Sequence, residues 1–122
     1  MNILTIHLTP PHLHLKLQGR LEATSAVQLR EKLHEAEQQH INWISLNVAD
    51  IDHMDAAGLA VITSSLRSLR RQGGDLWLIS PSNAVTEMLR YTMLEDIIPI
   101  QSQANTVTLL ASKPIWQRLL QV

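Results

Sequence analysis

Hydrophobic and polar residues alternate in the first twenty positions of the chain. Residues 3–8 alternate loosely and residues 12–19 alternate cleanly, and Pro10-Pro11 separates the two stretches. The second stretch places Leu13, Leu15 and Leu17 on one face and His12, His14, Lys16 and Gln18 on the other. The pattern predicts two antiparallel strands, and the second is expected to be half-buried with its polar face in solvent.

Short apolar runs later in the chain predict further strands. Residues 42–48 and 75–80 are apolar and rich in β-branched or large residues, which is typical of strands buried on both faces. Residues 96–100 predict a last, short edge strand, because Pro99 cannot donate to a ladder.

Apolar residues spaced by three and four predict helices between these strands. The first helix is expected from Thr24 or Ser25 to about His40, and the second from about Ala57 to Gln72, before Gly73-Gly74. A third helix is expected to start at Pro81-Ser82, and a short fourth one within residues 102–112. Residues 19–22 and 49–56 are predicted as loops.

The resulting order, β-β-α-β-α-β-α-β-α, predicts an α/β fold with a mixed sheet and about four helices. The first strands are expected to be antiparallel and the rest largely parallel, with right-handed crossovers. A chain of 122 residues predicts one domain. We expect that domain to span residues 1–100, with residues 101–122 as a C-terminal helix and tail packed on it, because Trp116, Leu119 and Leu120 form an apolar side.

Composition narrows the possible functions. The net charge of −1 gives no electrostatic reason to expect nucleic acid or an anionic membrane as partner. The absence of cysteine excludes disulfides, thiolate chemistry and cysteine-ligated zinc. The N-terminal residues lack the pattern of a signal peptide, and no apolar run is long enough to span a membrane. A cytoplasmic protein without membrane insertion is therefore expected.

Two groups of residues are candidates for metal binding. His12 and His14 share a strand face and His7 could lie beside them, but a tetrahedral site needs three or four ligands, so polar residues on a solvated face are the preferred interpretation. Asp50, Asp52 and Asp55 follow a strand at its carboxyl end. They could hold Mg²⁺ with a phosphate, or cap the loop and the second helix, and capping is the preferred role for Asp55.

Motifs for catalysis or nucleotide binding are missing. The sequence contains no G-x-G-x-x-G, no phosphate-binding P-loop and no G-x-S-x-G. We therefore predict no catalytic residue, no cofactor site and no metal site. Arg67, Arg70 and Arg71 cluster near the end of the second helix, where they could bind an acidic partner or complement the helix dipole; the second role is favoured about two to one.

The run "GRLEATSAVQLREKL", followed by "ISLNVADIDHMDAAGLAVITSSLRSLRRQGGDLWLISPSNAVTEMLRYTMLEDIIPI", resembles the STAS domain of sulphate transporters and anti-sigma factor antagonists. The resemblance extends to Ile100 and follows the order Gly-x-Leu-acid, D-x-x-G-L, GG-x-L-x-L and SP. It implies the mixed sheet described above and a stand-alone member that works by partner switching. In such members the antagonist binds an anti-sigma factor that is also a serine kinase, which phosphorylates a Ser of D-x-S-G and releases the antagonist, and a phosphatase resets it.

Alanine stands where the resemblance places the phosphorylated serine. The motif's Asp corresponds to Asp55, its serine to Ala57, and the position between them to Ala56. Alanine has no hydroxyl, and Thr63 lies about two turns further along the helix. Two further departures are Glu22, where Asp is usual, and Met93, where a Gly usually follows the third helix.

These comparisons predict a non-catalytic protein-binding regulator of the anti-sigma antagonist type that lacks the phosphoswitch. Its expected partner is an anti-sigma factor or a serine-kinase-like switch protein, and a homodimer is possible. The predicted partner surface consists of Glu22, Ala23, His53, Met54, Asp55, Ala56, Ala57, Gly58, Leu59 and Ile62. The first alternative is a cytoplasmic accessory subunit of an ABC-type lipid transporter, in which the D-x-A-G-L-A pattern has Thr at the place of Ala56. An enzyme or nucleotide binder is the weaker alternative.

Overall fold

A five-stranded sheet and three helices make up the computed structural model, which describes residues 1–101. The strands are β1 (Asn2–Thr9), β2 (His12–Leu21), β3 (Trp43–Met54), β4 (Asp75–Ile79) and β5 (Ile100–Gln101). The helices are α1 (Ala23–Gln38), α2 (Ala56–Arg71) and α3 (Asn83–Tyr91). The strands follow the order β1-β2-β3-β4-β5, with β1 antiparallel to β2 and all other neighbours parallel, so the predicted mixed α/β sheet is confirmed.

The core lies on one face of this sheet. Leu15, Leu46 and Leu78 occupy one register row across β2, β3 and β4, and all three are fully buried. Leu13, Ile44 and Leu76 form a second buried row two residues earlier on the same face. Helices α1 and α2 pack against each other and against this sheet, whereas α3 packs against β3. The leucine periodicity of the sequence therefore has its physical origin in this shared apolar layer.

Strands β2 and β3 are longer than predicted. The loops expected at residues 19–22 and 49–56 are wrong, because Gly19 pairs with Ile51, Arg20 with His53 and Leu21 with Met54. The register shifts between Lys16 and Gln18 and again between Gly19 and Arg20, so the alternation of side chains is interrupted while the pairing continues. These irregularities hide the strand period from a sequence pattern.

The solvated face predicted for β2 is wrong at His14, whereas His12, Lys16 and Gln18 on the same face are partly exposed. His14, Ser45 and Trp77 occupy one register row, and all three are buried. His14 Nδ1 and Ser45 Oγ are 2.6 Å apart and form a hydrogen bond, which satisfies two polar groups inside the protein. Burial lowers the pKa of His14, as does the nearby His7, while a hydrogen bond with the Ser45 backbone opposes the shift.

Each of the three described helices is followed, two positions after its last residue, by a residue with a left-handed backbone. His40, Gly73 and Met93 have φ of 62°, 80° and 60° after α1, α2 and α3. After α3, the Leu94 amide donates to the Leu89 carbonyl at 2.9 Å and the Met93 amide to the Arg90 carbonyl at 3.1 Å, which is the Schellman arrangement. Met93 therefore adopts the left-handed conformation at the position where the resemblance places a glycine.

The end of the described chain differs in detail from the prediction. Strand β5 begins at Ile100 instead of residue 96, after turns, and the Leu78 amide donates to the Pro99 carbonyl at 2.9 Å. The fourth helix predicted within residues 102–112, and the packing predicted for the C-terminal segment, lie outside the described residues. Within residues 1–101, no helix has the length and apolar character needed to span a membrane.

Candidate partner-binding junction

Two neighbouring strand ends bring the N-termini of α1 and α2 together. Leu21 at the end of β2 pairs with Met54 at the end of β3, and the Asp55 amide donates to the Leu21 carbonyl at 3.2 Å. Helix α1 then begins at Ala23 and α2 at Ala56. The positive ends of two helix dipoles therefore lie side by side at one edge of the sheet.

Asp55 links the two helix N-termini through its carboxylate. One oxygen, Oδ1, accepts from the Gly58 amide at 3.0 Å and caps α2, as the sequence predicts. The other oxygen, Oδ2, accepts from the Ala23 amide of α1 at 3.2 Å. One side chain thus satisfies a free amide at the start of each helix and fixes their relative position.

Gly58 allows α2 to approach the end of β2 closely. A Cβ atom at this position would lie 2.6 Å from Leu21 Cγ and 2.7 Å from the Leu21 carbonyl oxygen. Because Leu21 is fully buried, neither atom has free space to move into. The absence of a side chain at Gly58 therefore permits the close approach of α2 to the end of β2.

Charged side chains form a short cluster on the α1 side of the junction. Arg20 Nε lies 2.5 Å from Glu22 Oε1, and His53 Nε2 lies 3.9 Å from Glu22 Oε2. The hydrogen bond from Arg20 lowers the pKa of Glu22, and partial desolvation opposes this effect. Glu22 is therefore held ionised beside Ala23. Ser25 completes the entry to α1, since its Oγ accepts from the Glu22 amide at 2.9 Å.

The outer surface of the junction is formed by small side chains. Ala23 and Ala56 are exposed, while His53, Asp55 and Ala57 are partly exposed. Ala57 is the second residue of α2, one position before the amide that Asp55 caps. This part of the predicted partner surface is accessible in the structure.

Four residues of the predicted partner surface lie in the interior. Met54 and Leu59 are each 4% exposed, Ile62 is fully buried, and Gly58 is buried against Leu21. They belong to the layer beneath the junction, so their predicted exposure is wrong. The 3.6-residue period of α2 points Leu59 and Ile62 inward, in the same direction as Leu66 and Leu69.

The other candidate groups have structural partners. Asp50 Oδ2 lies 3.1 Å from Lys16 Nζ, and this contact lowers the pKa of Asp50. His7 is the register partner of His14, but its Nε2 bonds Thr9 Oγ1 at 2.7 Å, whereas His14 bonds Ser45. Within residues 1–101, no three His, Asp or Glu side chains come together as metal ligands would. The three predicted arginines also separate, because Arg70 Nε bonds the buried Asp75 at 3.0 Å.

Sequence reasoning missed Arg20 and the role of the Ala23 amide. Arg20 lies two residues before Glu22, whose backbone continues the extended conformation of β2, so the two side chains point to the same side, and that spacing is visible in the sequence. The contact from Ala23 to Asp55 joins residues 32 positions apart, and no local pattern reports it.

The chain is similar to a known protein family and to individual known proteins. The model of the STAS domain family matches residues 4–107. The anti-sigma-B factor antagonist of Bacillus subtilis is 29% identical over 93 residues, which cover 76% of this chain and 84% of that protein. The corresponding protein of Staphylococcus epidermidis is 23% identical over 86 residues, covering 70% of this chain and 80% of its own length.

A solved structure of similar fold is that of the anti-sigma factor antagonist SpoIIAA in its unphosphorylated form. It superposes with a TM-score of 0.76 over 93% of this chain and 99% of that chain, at 19% sequence identity. At this level of identity the superposition shows the fold alone.

Proposed function

This chain belongs to the STAS domain family, and we propose that it is a non-catalytic regulator that acts by binding a protein partner, in the manner of an anti-sigma factor antagonist. The observation that supports this most directly is the Asp55 junction, where two helix N-termini and the small residues Ala56 and Ala57 form an accessible surface. The similarity to the anti-sigma-B factor antagonist of Bacillus subtilis, which extends over 76% of this chain, supports the same function.

The proposed partner is an anti-sigma factor or a serine-kinase-like switch protein in the cytoplasm. The contact surface consists of the exposed members of the junction: Glu22, Ala23, His53, Asp55, Ala56 and Ala57. Small side chains let the partner's backbone approach the helix ends, and the ionised Glu22 gives the surface a fixed charge. Domain limits at residues 1–100 and 101–122, and a homodimer, remain part of the same proposal.

The usual phosphoswitch is absent at Ala57. A phosphate at the N-terminus of α2 would be tolerated by the helix dipole, but it would add about −1.5 to −2 charges to the middle of the contact surface. Alanine cannot accept that phosphate. The contact surface therefore corresponds permanently to the unphosphorylated form of related proteins that carry the serine. Control of partner binding then comes from protein abundance, a competing paralogue or a modification elsewhere.

Affinity capture with three forms of the full chain tests this function. Wild type and Gln28→Glu should recover the same anti-sigma-like or serine-kinase protein, whereas Ala57→Glu should recover at least about tenfold less, because a buried unpaired charge at an interface costs a few kcal/mol. Gln28 is exposed on α1, so its variant introduces the same charge away from the junction. Equal recovery by all three forms would exclude the junction as the contact surface. Recovery of a transporter ATPase instead would show that the proposed class of partner is wrong.

A second measurement identifies the class of the partner. The Ala57→Ser variant restores a hydroxyl at the second position of α2. Incubation with the captured partner and ATP should place phosphate on Ser at this position, as mass spectrometry would detect. A partner that binds wild type tightly but leaves the variant unmodified is not a kinase of this kind.

A further inference from the structure

A groove runs along α2 beside the turn that follows α3. Its volume is about 360 Å³, and Ala56, Ala60 and Ser64 form one wall while Thr92 and Leu94 form the other. These α2 positions recur every four residues, so the groove follows the helix axis from the junction towards Arg67. The distance from Ala56 to Arg67 corresponds to about 16 Å at 1.5 Å per residue, or three turns. Small wall residues allow a second helix to approach closely.

Arg67 closes the far end of this groove with an available positive charge. It is exposed and lines the groove. Within residues 1–101, no carboxylate lies within salt-bridge distance of Arg67, in contrast to Arg70, which pairs with buried Asp75 at 3.0 Å. Arg70 therefore has a role in the fold, whereas the charge of Arg67 is free to meet a negative group on a partner.

Met93 lies between Thr92 and Leu94, which both line the groove, and its large apolar side chain is 82% exposed. Met93 holds a left-handed φ of 60°, a conformation that is unfavourable for a residue with a Cβ. The left-handed φ belongs to the end of α3, and the exposed apolar side chain beside the groove is available to contact a partner.

From these three features we propose that the partner seats an acidic amphipathic helix in the α2–α3 groove. Its apolar side chains pack between Ala60 and Leu94, Met93 covers its flank, and a carboxylate about three turns from the Ala56 end pairs with Arg67. The groove is continuous with the junction through Ala56, which lines it. The inference rests on the proposed function, since it describes how the same partner extends its contact along α2.

Charge reversal tests the proposed orientation. The partner recovered by affinity capture is purified, and its affinity for the full chain is measured by calorimetry. Arg67→Glu should weaken binding about tenfold or more, and replacing the facing carboxylate of the partner by Lys should restore it. Arg30→Glu is the matched control, because Arg30 is exposed on α1 and the charge change is the same. Equal affinities for the two chain variants would overturn the proposal.

The Met93→Gly substitution is expected to change stability and partner binding in opposite directions. Glycine removes the backbone strain, so the melting temperature should rise, while loss of the apolar side chain should weaken partner binding about fivefold to tenfold. A purely structural role for Met93 would leave the affinity unchanged and would count against the groove.

The remaining outcomes separate this inference from the proposed function. If Ala57→Glu abolishes binding while both groove variants bind like wild type, the junction function stands and the groove proposal fails. If the wild-type chain recovers no partner of the stated class, both fail. If Arg67→Glu alters the sedimentation of the free protein, a second copy occupies the groove, and the acidic helix is excluded.

Discussion

Substitution of Gly58 by alanine tests how tightly α2 is held against the sheet. The new Cβ would lie 2.6 Å from Leu21 Cγ and 2.7 Å from the Leu21 carbonyl oxygen. An unstrained contact needs about 3.5 Å, so α2 or the end of β2 must move by roughly 0.8 Å. The displacement also lengthens the 3.0 Å bond from the Gly58 amide to Asp55.

Two opposing effects determine the size of the change. Overpacking against a buried side chain and a backbone carbonyl costs up to about 3 kcal/mol. Alanine is a better helix former than glycine, which stabilises α2 by about 1 kcal/mol. The net expectation is a loss of about 2 kcal/mol in the free energy of unfolding, because the clash includes backbone that cannot rotate away.

Urea unfolding followed by far-ultraviolet circular dichroism measures this change. The matched control is Ala60→Gly, two positions along the same helix on its exposed side, which should lose about 1 kcal/mol from helix propensity alone. If Gly58→Ala is instead as stable as wild type or more stable, the close approach of α2 to Leu21 does not limit the fold, and the reasoning for this junction fails.

Three other substitutions follow from the same structure. Asp55→Ala should cost about 2 kcal/mol in urea unfolding, since it removes a helix cap and a bond to the start of α1, whereas Asp52→Ala should change little. The folded state holds His14 neutral because its pKa is lowered, so stability should be complete above about pH 6.5 and fall as the pH drops below that value. His14→Gln should reduce this slope in urea titrations at several pH values, and the exposed His34→Gln should not; equal slopes would contradict the assignment. His40→Gly, at a φ of 62°, should raise the unfolding free energy by about 1 kcal/mol, and a decrease would show that the side chain matters more than the strain.

The fold was largely accessible from the sequence because its core is periodic. The leucines of β2 and the 3.6-residue spacing of α2 both reflect one shared apolar layer, so counting positions finds the elements. The ends of β2 and β3 were not accessible. Gly19 and the acids Asp50 and Asp52 are typical of loops, yet here they lie in paired strands whose bulges interrupt the alternation.

The candidate site was predicted only where its contacts are local. Asp55 caps α2 by accepting from the amide three residues further along, and that spacing can be recognised in the sequence. The bond from Asp55 to Ala23, and the groove between α2 and Leu94, depend on segments brought together by the sheet and the crossovers. Burial of His14 was missed for a related reason, because an alternating strand does not reveal whether its polar face is also covered.

The unequal lengths of the strands affect how the junction moves. Strand β4 pairs with β3 only from Trp43 to Asn47, so the segment from Asp50 to Met54 has β2 as its sole paired neighbour among the described strands. Amide protons in this two-stranded extension are expected to exchange with solvent through local openings, sooner than those of Leu46, which open only with the whole sheet. A partner bound at the junction would suppress these local openings. Its binding would then be detected as slower hydrogen exchange at the C-terminal ends of β2 and β3.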